Sequence, residues 1–259
     1  IKVRMARVLQ SINEWHNRFK QQTRWTQALA AYILQRANIS STHHILEVGC
    51  GTGAVLEQFI QPLGASYCGL DINPDYLSFF ASFHPGARLV LGDAHQLPFS
   101  DNSFDVSLCH YLLLWVSDPS QVLHEMLRVT HPGGMVMALA EPDYGGRIDY
   151  PAELSLLGKW QMDSLAIQGA DASMGRKLRA LFTQCGFTSV EAGVIGGQWR
   201  QGFDQSEFES EWEILHNDLS NQPEKLAQLP RFQDSDRRAR QQGERILFVP
   251  TFYAWGYAP

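Results

Sequence analysis

The chain has 259 residues, of which 44% are hydrophobic and 19% charged, values that are ordinary for globular proteins. This length predicts one large domain, or one domain with a cap, whose core is large enough to need no disulfide or structural metal. The most apolar run, Val106 to Val116, is too short to cross a bilayer and contains His110. We therefore expect neither a membrane span nor a metal site.

The net charge of −6 is unevenly distributed, and its sign disfavours general binding of nucleic acid, which usually goes with a basic excess. Residues 1–41 carry seven basic side chains and a single acid, Glu14, so the remaining chain is strongly acidic. We interpret 1–41 as an N-terminal helical arm and 42–259 as the main domain. A cytoplasmic protein with reduced thiols is favoured by four cysteines that show neither a CxxC pair nor a zinc spacing: Cys50, Cys68, Cys109 and Cys185.

The first elements in chain order are two helices, predicted within residues 4–38. Apolar residues recur there at spacings of three and four, as the buried stripe of a helix requires. The first stripe runs from Met5 to Phe19. The second stripe comprises Trp25, Ala28, Leu29 and Tyr32.

From Ile45 onward, short apolar runs alternate with helical segments. The predicted strands are Ile45–Val48, Ser66–Leu70, Arg88–Leu91, Asp105–His110 and Met135–Ala140. The predicted helices between them are Ala54–Gln61, Pro74–Phe83 and Pro119–Val129. This alternation predicts an α/β fold of three layers, in which helices cover both faces of a parallel sheet.

The pattern is less regular beyond Glu141. The expected elements are a loop at Pro142–Tyr150, helices at Ala152–Ile167 and Met174–Cys185, strands at Thr188–Trp199 and Ile246–Tyr257, and a polar helical stretch at Phe203–Glu244. We interpret residues 142–172 and 200–245 as insertions on the substrate side of the domain.

The most informative segment runs from Ile45 to Gly53, where an apolar strand leads directly into Gly49, Gly51 and Gly53 and a helix follows. Glycine permits positive φ and lets backbone approach a ligand closely, and the N–H groups at the helix start would face that ligand. With Ala54, the loop also matches the G-x-G-x-x-G/A pattern of dinucleotide-binding proteins. The loop alone therefore leaves the ligand open.

Later segments narrow the choice. Asp71 ends the second strand, where a carboxylate can accept hydrogen bonds from both ribose hydroxyls. The third strand ends in Gly92–Phe99, and the segments Asn102–His110 and Leu127–Met135 accompany the next two strands. No Lys follows the third glycine, which disfavours a phosphate-binding P-loop.

With these motifs in this order between Ile45 and Glu141, the sequence resembles the class I S-adenosylmethionine (SAM)-dependent methyltransferases. It is most similar to the small-molecule group with the ubiquinone- and menaquinone-biosynthesis-like (type 11) domain. The resemblance implies a Rossmann-like sheet of seven strands, mostly parallel, with an antiparallel last strand. Thr188–Trp199 and Ile246–Tyr257 would supply the final pair of strands. The implied cofactor is SAM, and S-adenosylhomocysteine is the implied by-product.

The resemblance also implies which residues contact the methionine and ribose part of the cofactor. Glu47 and the turn residues Gly49, Cys50, Gly51 and Gly53 would hold this part. Asp71 would bind the ribose hydroxyls. The carboxylates in this region also suit a cationic sulfonium better than a pyrophosphate.

The implied contacts with the adenine follow the second and third strands. Ile72 would pack on the ring, Asp93 would accept from the amino group, and the backbone N–H of Ala94 would reach a ring nitrogen. His110, after the fourth strand, would contact the methionine end. We expect His95 to be solvated.

Methyl transfer from a sulfonium is an in-line displacement in which the enzyme mainly positions and desolvates the reactants. A base is needed only when the nucleophile must lose a proton. The candidate catalytic residues are His110, Glu141 and Tyr144, because they lie at or just beyond predicted strand ends, where open α/β sheets bind ligands. For each of them a purely structural role stays open.

Two charged segments have more than one interpretation. The arginines Arg231, Arg237, Arg238, Arg240 and Arg245 form either a solvated helix face or part of a cap in which one arginine meets an anionic substrate. The basic arm is a lid over the cofactor site, an ordinary packed helix pair, or a pair that binds an anionic surface or a partner.

The sequence therefore predicts SAM-dependent methyl transfer to a small-molecule acceptor, without nucleic acid as a partner and with the oligomeric state open. The first alternative is an NAD-dependent oxidoreductase, suggested by the glycine pattern. The second is a non-catalytic SAM-binding protein, suggested by the lack of an unmistakable catalytic residue.

Overall fold

A computed structural model describes residues 12–194, 196–197, 199 and 202–259. Predictions that concern residues 4–11, including Met5 at the start of the first stripe, lie outside this range. The described chain forms two compact units. We call residues 12–142, 174–194 and 251–259 the sheet unit, and residues 143–173 with the described part of 196–250 the helical unit.

Nine strands are present in the described residues, numbered in chain order through both units: β1 (His44–Val48), β2 (Ser66–Asp71), β3 (Arg88–Leu91), β4 (Phe104–Cys109), β5 (Thr130–Pro142), β6 (Ile148–Tyr150), β7 (Thr188–Val194), β8 (Ile246–Phe248) and β9 (Thr251–Tyr257). Seven of them form one sheet in the order β3-β2-β1-β4-β5-β9-β7. β9 is antiparallel to both of its neighbours, and the other pairs are parallel. The predicted seven-stranded sheet with an antiparallel last strand is confirmed.

The helices of the sheet unit are α1 (Ile12–Trp25), α2 (Gln27–Arg36), α3 (Pro74–Phe83), α4 (Pro119–Val129) and α6 (Leu178–Gln184). The helical unit contains α5 (Ser155–Ile167), α7 (Gln205–Asp218), α8 (Pro223–Leu226) and α9 (Leu229–Gln242). The predicted helix Ala54–Gln61 is present largely as a π-helical segment, Leu56–Ile60.

The starts of α3 and α4 show why these helices begin where the sequence predicts. Each has Pro at its first position, where a missing N–H costs nothing, and an acceptor side chain just before it. Asn73 accepts from the backbone N–H of Asp75, and Asp118 accepts from that of Gln121. Both helices therefore start at fixed points beyond the carboxyl ends of β2 and β4.

The core of the sheet unit is formed by strands that are apolar on both faces. Val136, Met137 and Leu139 of β5 and Leu108 of β4 have no exposed surface. A fully buried side chain of this size stabilises the fold by about 1.5–3 kcal/mol. This rigid centre fixes the ends of β1, β2, β4 and β5 that carry the candidate site.

The buried faces of α1 and α2 differ from the predicted apolar stripes. In the second stripe, Leu29 is buried as predicted, whereas Trp25, Ala28 and Tyr32 are exposed. The other residues that α2 buries are Ala30, Ile33 and Leu34. The buried residues of α1 are Gln21 and Thr23. Hydrophobic spacing located both helices, and the described residues of the first stripe, Ile12, Trp15 and Phe19, are half-buried. The stripe did not include the two most covered residues of α1.

Two strand predictions in the C-terminal half are wrong in extent. β7 ends at Val194, before Gly196 and Gly197, rather than at Trp199. The predicted strand Ile246–Tyr257 is two strands, interrupted at Pro250, which has no N–H to donate to a ladder. β9 joins the main sheet, whereas β8 pairs with β6 in the helical unit. β6 lies in the segment 142–150, which was predicted to be a loop.

The helical unit has its own apolar core, made by Leu154, Leu157, Trp160, Phe208, Trp212, Leu215, Leu219, Leu229 and Phe232. Beside it lies a network of ion pairs. Arg245 contacts Asp149 at 2.7 Å and also pairs with Asp236, while Arg240 pairs with Asp236 and Glu211. The interpretation of all five arginines as a solvated face is therefore wrong for Arg240 and Arg245.

In the part of the chain that the structure describes, no helix combines the length and apolar character needed to cross a bilayer.

Candidate functional site

The glycine turn after β1 adopts a backbone that requires its glycines. Gly49, Gly51 and Gly53 have φ values of 75°, 51° and 91°. A Cβ at Gly53 would lie 2.6 Å from the ring of Phe80, closer than side chains tolerate. The N–H groups of Gly49 and Cys50 donate to the carbonyl of Leu70 in β2, at 2.7 and 2.9 Å. The turn is thus held tightly against the neighbouring strand.

Asp71, at the end of β2, joins this turn to the start of α3. Its Oδ2 accepts from the N–H of Gly51 and its Oδ1 from the N–H of Asn73, both at 2.8 Å. Burial raises the pKa of Asp71, while the backbone donors act in the opposite direction. The next residue, Ile72, is 69% exposed, which is unusual for a large apolar side chain and leaves a flat hydrophobic surface beside the carboxylate.

Glu47 lies within β1, beside Gly69 of β2 and Leu108 of β4. Its carboxylate is buried and accepts a hydrogen bond of 2.6 Å from the hydroxyl of Tyr67. Burial raises the pKa of Glu47 to about 8, against the lowering effect of this hydrogen bond. Glu47 and Tyr67 therefore form a buried polar pair near the strand end that leads into the glycine turn.

Asp93 and His95 form a linked pair after β3. Asp93 Oδ1 accepts from the backbone N–H of His95 at 2.9 Å and lies 2.7 Å from Nδ1 of the same residue. The N–H of Asp118 points at His95 Nε2 at 3.3 Å, so Nε2 is the acceptor and Nδ1 carries the proton. The ring of His95 is 28% exposed, and it links Asp93, which follows β3, to the residue before α4.

The two hydrogen bonds from His95, the backbone one first, lower the pKa of Asp93. Its side chain is nevertheless 53% exposed, so an anionic carboxylate is presented to solvent at this edge of the sheet. Ala94, beside it, is buried.

His110 follows the end of β4 and lies against aromatic rings. The ring centroids of Phe59 and Tyr111 are 6.4 and 4.9 Å away. Burial lowers the pKa of His110 to about 3, so the ring is neutral at physiological pH. Tyr111 has a φ of 53°, an uncommon conformation for a residue with a side chain. Such strained positions concentrate at functional sites.

Glu141 near the end of β5 is completely buried, and its carboxylate binds a loop. Oε1 accepts from the N–H groups of Leu112 and Leu113 at 2.9 and 2.8 Å, and Oε2 accepts from that of Leu114 at 3.2 Å. Burial raises the pKa of Glu141 to about 8, and the three donors oppose this shift. These contacts give Glu141 a role in positioning the loop after His110, while direct catalysis by it stays a prediction.

Tyr144, the third candidate catalytic residue, belongs to the helical unit. It is half-buried, and its backbone N–H donates to the carbonyl of Ala172 at 2.9 Å. Among the residues carried over from the resemblance, the structure brings Glu47, the glycine turn, Asp71 and His110 to adjacent strand ends of the sheet unit, with Asp93 at the next strand.

The face of α1 that carries His16 and Phe19 lies along the glycine turn, a placement that agrees with the interpretation of the arm as a lid. His16 Nδ1 is 2.9 Å from Thr52 Oγ1, and a Cβ at Gly51 would lie 3.2 Å from the ring of Phe19. Two more contacts come from later residues of α1: Lys20 with Glu57 at 3.1 Å and Thr23 with Gln58 at 3.0 Å. Thr26, the residue after the helix, contacts His110 at 2.9 Å. His16, Lys20 and Thr23 are spaced by four and three residues and therefore share one helix face. This polar spacing could have indicated the contact face, but the apolar residues between them drew attention away from it.

A cavity of about 620 Å³ opens elsewhere in the sheet unit, lined by Tyr32, Gln35, Arg36, Ser189, Glu191, Trp255 and Tyr257. Tyr257 and Trp255 pair with Met135 and Met137, at the start of β5 rather than at its carboxyl end. The cavity therefore contains none of the candidate site residues.

Comparison with known proteins agrees with this geometry. A family model described as "Methyltransferase domain" matches residues 46–138. The demethylmenaquinone methyltransferase of Geobacillus kaustophilus is 31% identical over 215 residues, covering 73% of this chain and 90% of that protein.

Solved structures extend the similarity in fold. A Bacillus halodurans C-125 protein, described provisionally as a methyltransferase, matches with a TM-score of 0.61 at 18% identity over 89% of this chain and 98% of that one. A Haemonchus contortus phosphoethanolamine N-methyltransferase 2 in complex with SAM matches with a TM-score of 0.57 at 14% identity, over 91% of this chain and 53% of that one. With its sheet order, its glycine turn and these relatives, the chain belongs to the class I SAM-dependent methyltransferases of the small-molecule type.

Proposed function

We propose that the protein transfers a methyl group from SAM to a small-molecule acceptor by in-line displacement and releases S-adenosylhomocysteine. The observation that carries this proposal is the arrangement at the end of β2. There the Asp71 carboxylate is fixed 2.8 Å from the N–H of Gly51, beside the exposed face of Ile72. A held carboxylate next to an apolar surface fits a nucleoside, whose ribose hydroxyls donate and whose flat base can pack its face on an apolar side chain.

Residues on neighbouring strands would complete the cofactor site. Glu47 and the turn Gly49, Cys50, Gly51 and Gly53 would hold the methionine and ribose part, with Asp71 on the ribose hydroxyls. Ile72 would cover the adenine, and Asp93 and Ala94 would meet its polar edge. The exposed, anionic Asp93 and the tightly packed turn both support this assignment.

When bound, SAM supplies a methyl group on a cationic sulfonium with a good neutral leaving group. The chain's own contribution is to orient the nucleophile at about 3–3.5 Å from the methyl carbon and to exclude water. His110 would line the methionine end, and its neutral ring beside Tyr111, whose φ is 53°, supports this assignment. Glu141 would act on this region through the loop that it holds.

We propose that the N-terminal arm, residues 1–41, serves as a lid on this site. Support comes from its described part, because α1 contacts Thr52 of the glycine turn and the residue after it, Thr26, contacts His110.

Segments 142–172 and 200–245 are proposed to select the acceptor. The names of the two relatives specify demethylmenaquinone and phosphoethanolamine, so compounds of both classes belong in an acceptor screen. The four free, buried cysteines support a cytoplasmic location.

Isothermal titration calorimetry tests the cofactor. We expect S-adenosylhomocysteine to bind in the micromolar range and NAD to give no heat. Binding of NAD without binding of S-adenosylhomocysteine would instead favour an oxidoreductase. Transfer of radiolabelled methyl groups from SAM to a broad acceptor panel tests turnover. If cofactor binding is normal and the panel, including cell extract, takes up no label, the protein binds SAM without catalysis.

A further inference from the structure

The contact between Thr26 and His110 determines which nitrogen of the imidazole carries the proton. His110 Nε2 lies 2.9 Å from Thr26 Oγ1. The same oxygen donates its single proton to the backbone carbonyl of Gln22, at 3.0 Å, one helical turn earlier. Both contacts are hydrogen bonds at the same time only when Nε2–H donates to the threonine oxygen.

The opposite tautomer satisfies fewer groups. If Nε2 were the acceptor, the threonine proton would turn away from Gln22, and Nδ1–H would need an acceptor. Among the residues that the structure describes, none bonds to Nδ1. The ring is also neutral at physiological pH, because burial disfavours the charged, doubly protonated form. One tautomer therefore uses every polar contact around the ring.

We propose that Thr26 is a positioning residue that holds His110 in the Nε2-protonated tautomer and leaves Nδ1 as the ring nitrogen that can accept a hydrogen bond from a ligand. Thr26 joins α1 to α2 and is itself buried. The tautomer is consequently set by the arm and not by the sheet that carries His110. The relevance to methyl transfer rests on the proposed function, whereas the tautomer is a property of the ligand-free protein.

Long-range ¹H–¹⁵N correlation spectra of ¹⁵N-histidine-labelled protein near pH 7 test the proposal, with a His110→Gln variant to assign the signal. The wild type is expected to show the pattern of an Nε2-protonated ring. Thr26→Val, which keeps the shape but removes the oxygen, is expected to shift both ring nitrogens toward a mixture of tautomers. Thr26→Ser restores the oxygen and is expected to restore the wild-type pattern.

Thr23→Val, on α1 and three residues before Thr26, is the matched control. Its hydroxyl lies 3.0 Å from Gln58 Oε1, whereas the bond to the His110 ring comes from Thr26, so the variant loosens the arm without removing that bond. We expect Thr23→Val to keep the wild-type signal. An Nδ1-protonated ring in the wild type, or identical spectra for wild type and folded Thr26→Val, would overturn the proposal. If Thr26→Val does not fold, the spectra of the wild type and Thr26→Ser decide, and neither requires methyl transfer.

Discussion

The Oε1 atom of Glu141 accepts a hydrogen bond of 2.9 Å from the backbone N–H of Leu112. A Cβ at Gly49 would lie 2.8 Å from the Cδ1 of the same leucine. Leu112 thus contacts the glycine turn with its side chain while its backbone is held by β5. The buried Glu141 carboxylate therefore helps to position the glycine turn through Leu112, without contacting the turn itself.

Above pH 8, where Glu141 is ionised, Glu141→Gln is expected to destabilise the fold by about 1–3 kcal/mol, the cost of leaving a buried donor unsatisfied. The amide keeps one oxygen but places an NH₂ group against backbone N–H groups that need an acceptor. Urea unfolding followed by circular dichroism measures the change. Glu224→Gln, at an exposed position of α8, is the control and is expected to unfold like the wild type. Equal midpoints for both variants would show that the three hydrogen bonds do not stabilise the loop.

The pH dependence of stability has a defined sign at Glu47. Burial raises the pKa of Glu47 to about 8 in the folded state, from an ordinary value of 4.5 when unfolded. The folded state therefore binds this proton more tightly, and the associated stability is full below pH 4.5 and is lost as the pH rises through about 8. Unfolding free energies measured between pH 5 and 8.5 should show this decline.

Glu47→Gln serves as the comparison, because it resembles the protonated side chain and still offers an oxygen to Tyr67. The variant is expected to lose less stability than the wild type over the same pH interval. Parallel curves for the two proteins would mean that Glu47 titrates normally in the fold.

Asp71→Ala is expected to weaken binding of S-adenosylhomocysteine by roughly 1.5–3 kcal/mol, the scale of hydrogen bonds to a charged group. The reason is the proposed contact with the ribose hydroxyls. Calorimetry measures the affinity, and circular dichroism verifies the fold, since Asp71 also binds Gly51 and Asn73. Asp75→Ala removes an exposed carboxylate four residues away and should bind like the wild type. An unchanged affinity in Asp71→Ala would place the ribose elsewhere.

Gly53→Ala is expected to destabilise the protein by at least about 2 kcal/mol. The residue has a φ of 91°, and its new Cβ would lie 2.6 Å from the ring of Phe80. Strained φ and overpacking each cost about 1–3 kcal/mol. Gly86→Ala is the control, because a Cβ there meets nothing within 4 Å. Differential scanning calorimetry should show a lower melting temperature for Gly53→Ala and an unchanged one for Gly86→Ala. If both melt together, the turn is less constrained than its contacts indicate.

Arg245→Met is expected to destabilise the helical unit by about 1–3 kcal/mol, because it removes one of the two arginines that pair with each of the buried carboxylates Asp149 and Asp236. Arg147 stays beside Asp149, and Arg240 stays beside Asp236. Thermal unfolding monitored by tryptophan fluorescence measures the change, and two of the seven tryptophans, Trp160 and Trp212, lie in the core of this unit. Arg238→Met, at an exposed position of α9, controls for the loss of charge and should change little. Similar melting of the two variants would mean that the ion pairs contribute nothing net.

The sheet and the glycine turn could be predicted because their causes are local in sequence. Apolar runs such as Val136–Leu139 can only be buried, and Pro74 and Pro119 mark helix starts. The positive φ values of Gly49, Gly51 and Gly53 follow from residues that permit them. These features also determine which strand ends carry Asp71 and Asp93.

The rest depends on contacts between distant residues, which single-sequence patterns do not contain. Nothing near Glu141 indicates that Leu112–Leu114 would supply its hydrogen-bond donors. The arginine stretch looks solvated until Asp149, about a hundred residues earlier, is brought beside Arg245. The split at Pro250 had a visible signal, since a central strand does not accommodate proline, but alternating aromatic residues obscured it.

The buried residues of α1, Gln21 and Thr23, also bear on the energetics of moving this helix. Heat capacity and denaturant sensitivity both scale with the apolar surface that a transition exposes. Detaching a helix whose most covered side chains are polar exposes less such surface than detaching one with a leucine stripe. Urea and temperature should therefore shift the equilibrium between docked and detached α1 only weakly. Ionic strength should act on the same equilibrium through the partly exposed pair Lys20–Glu57.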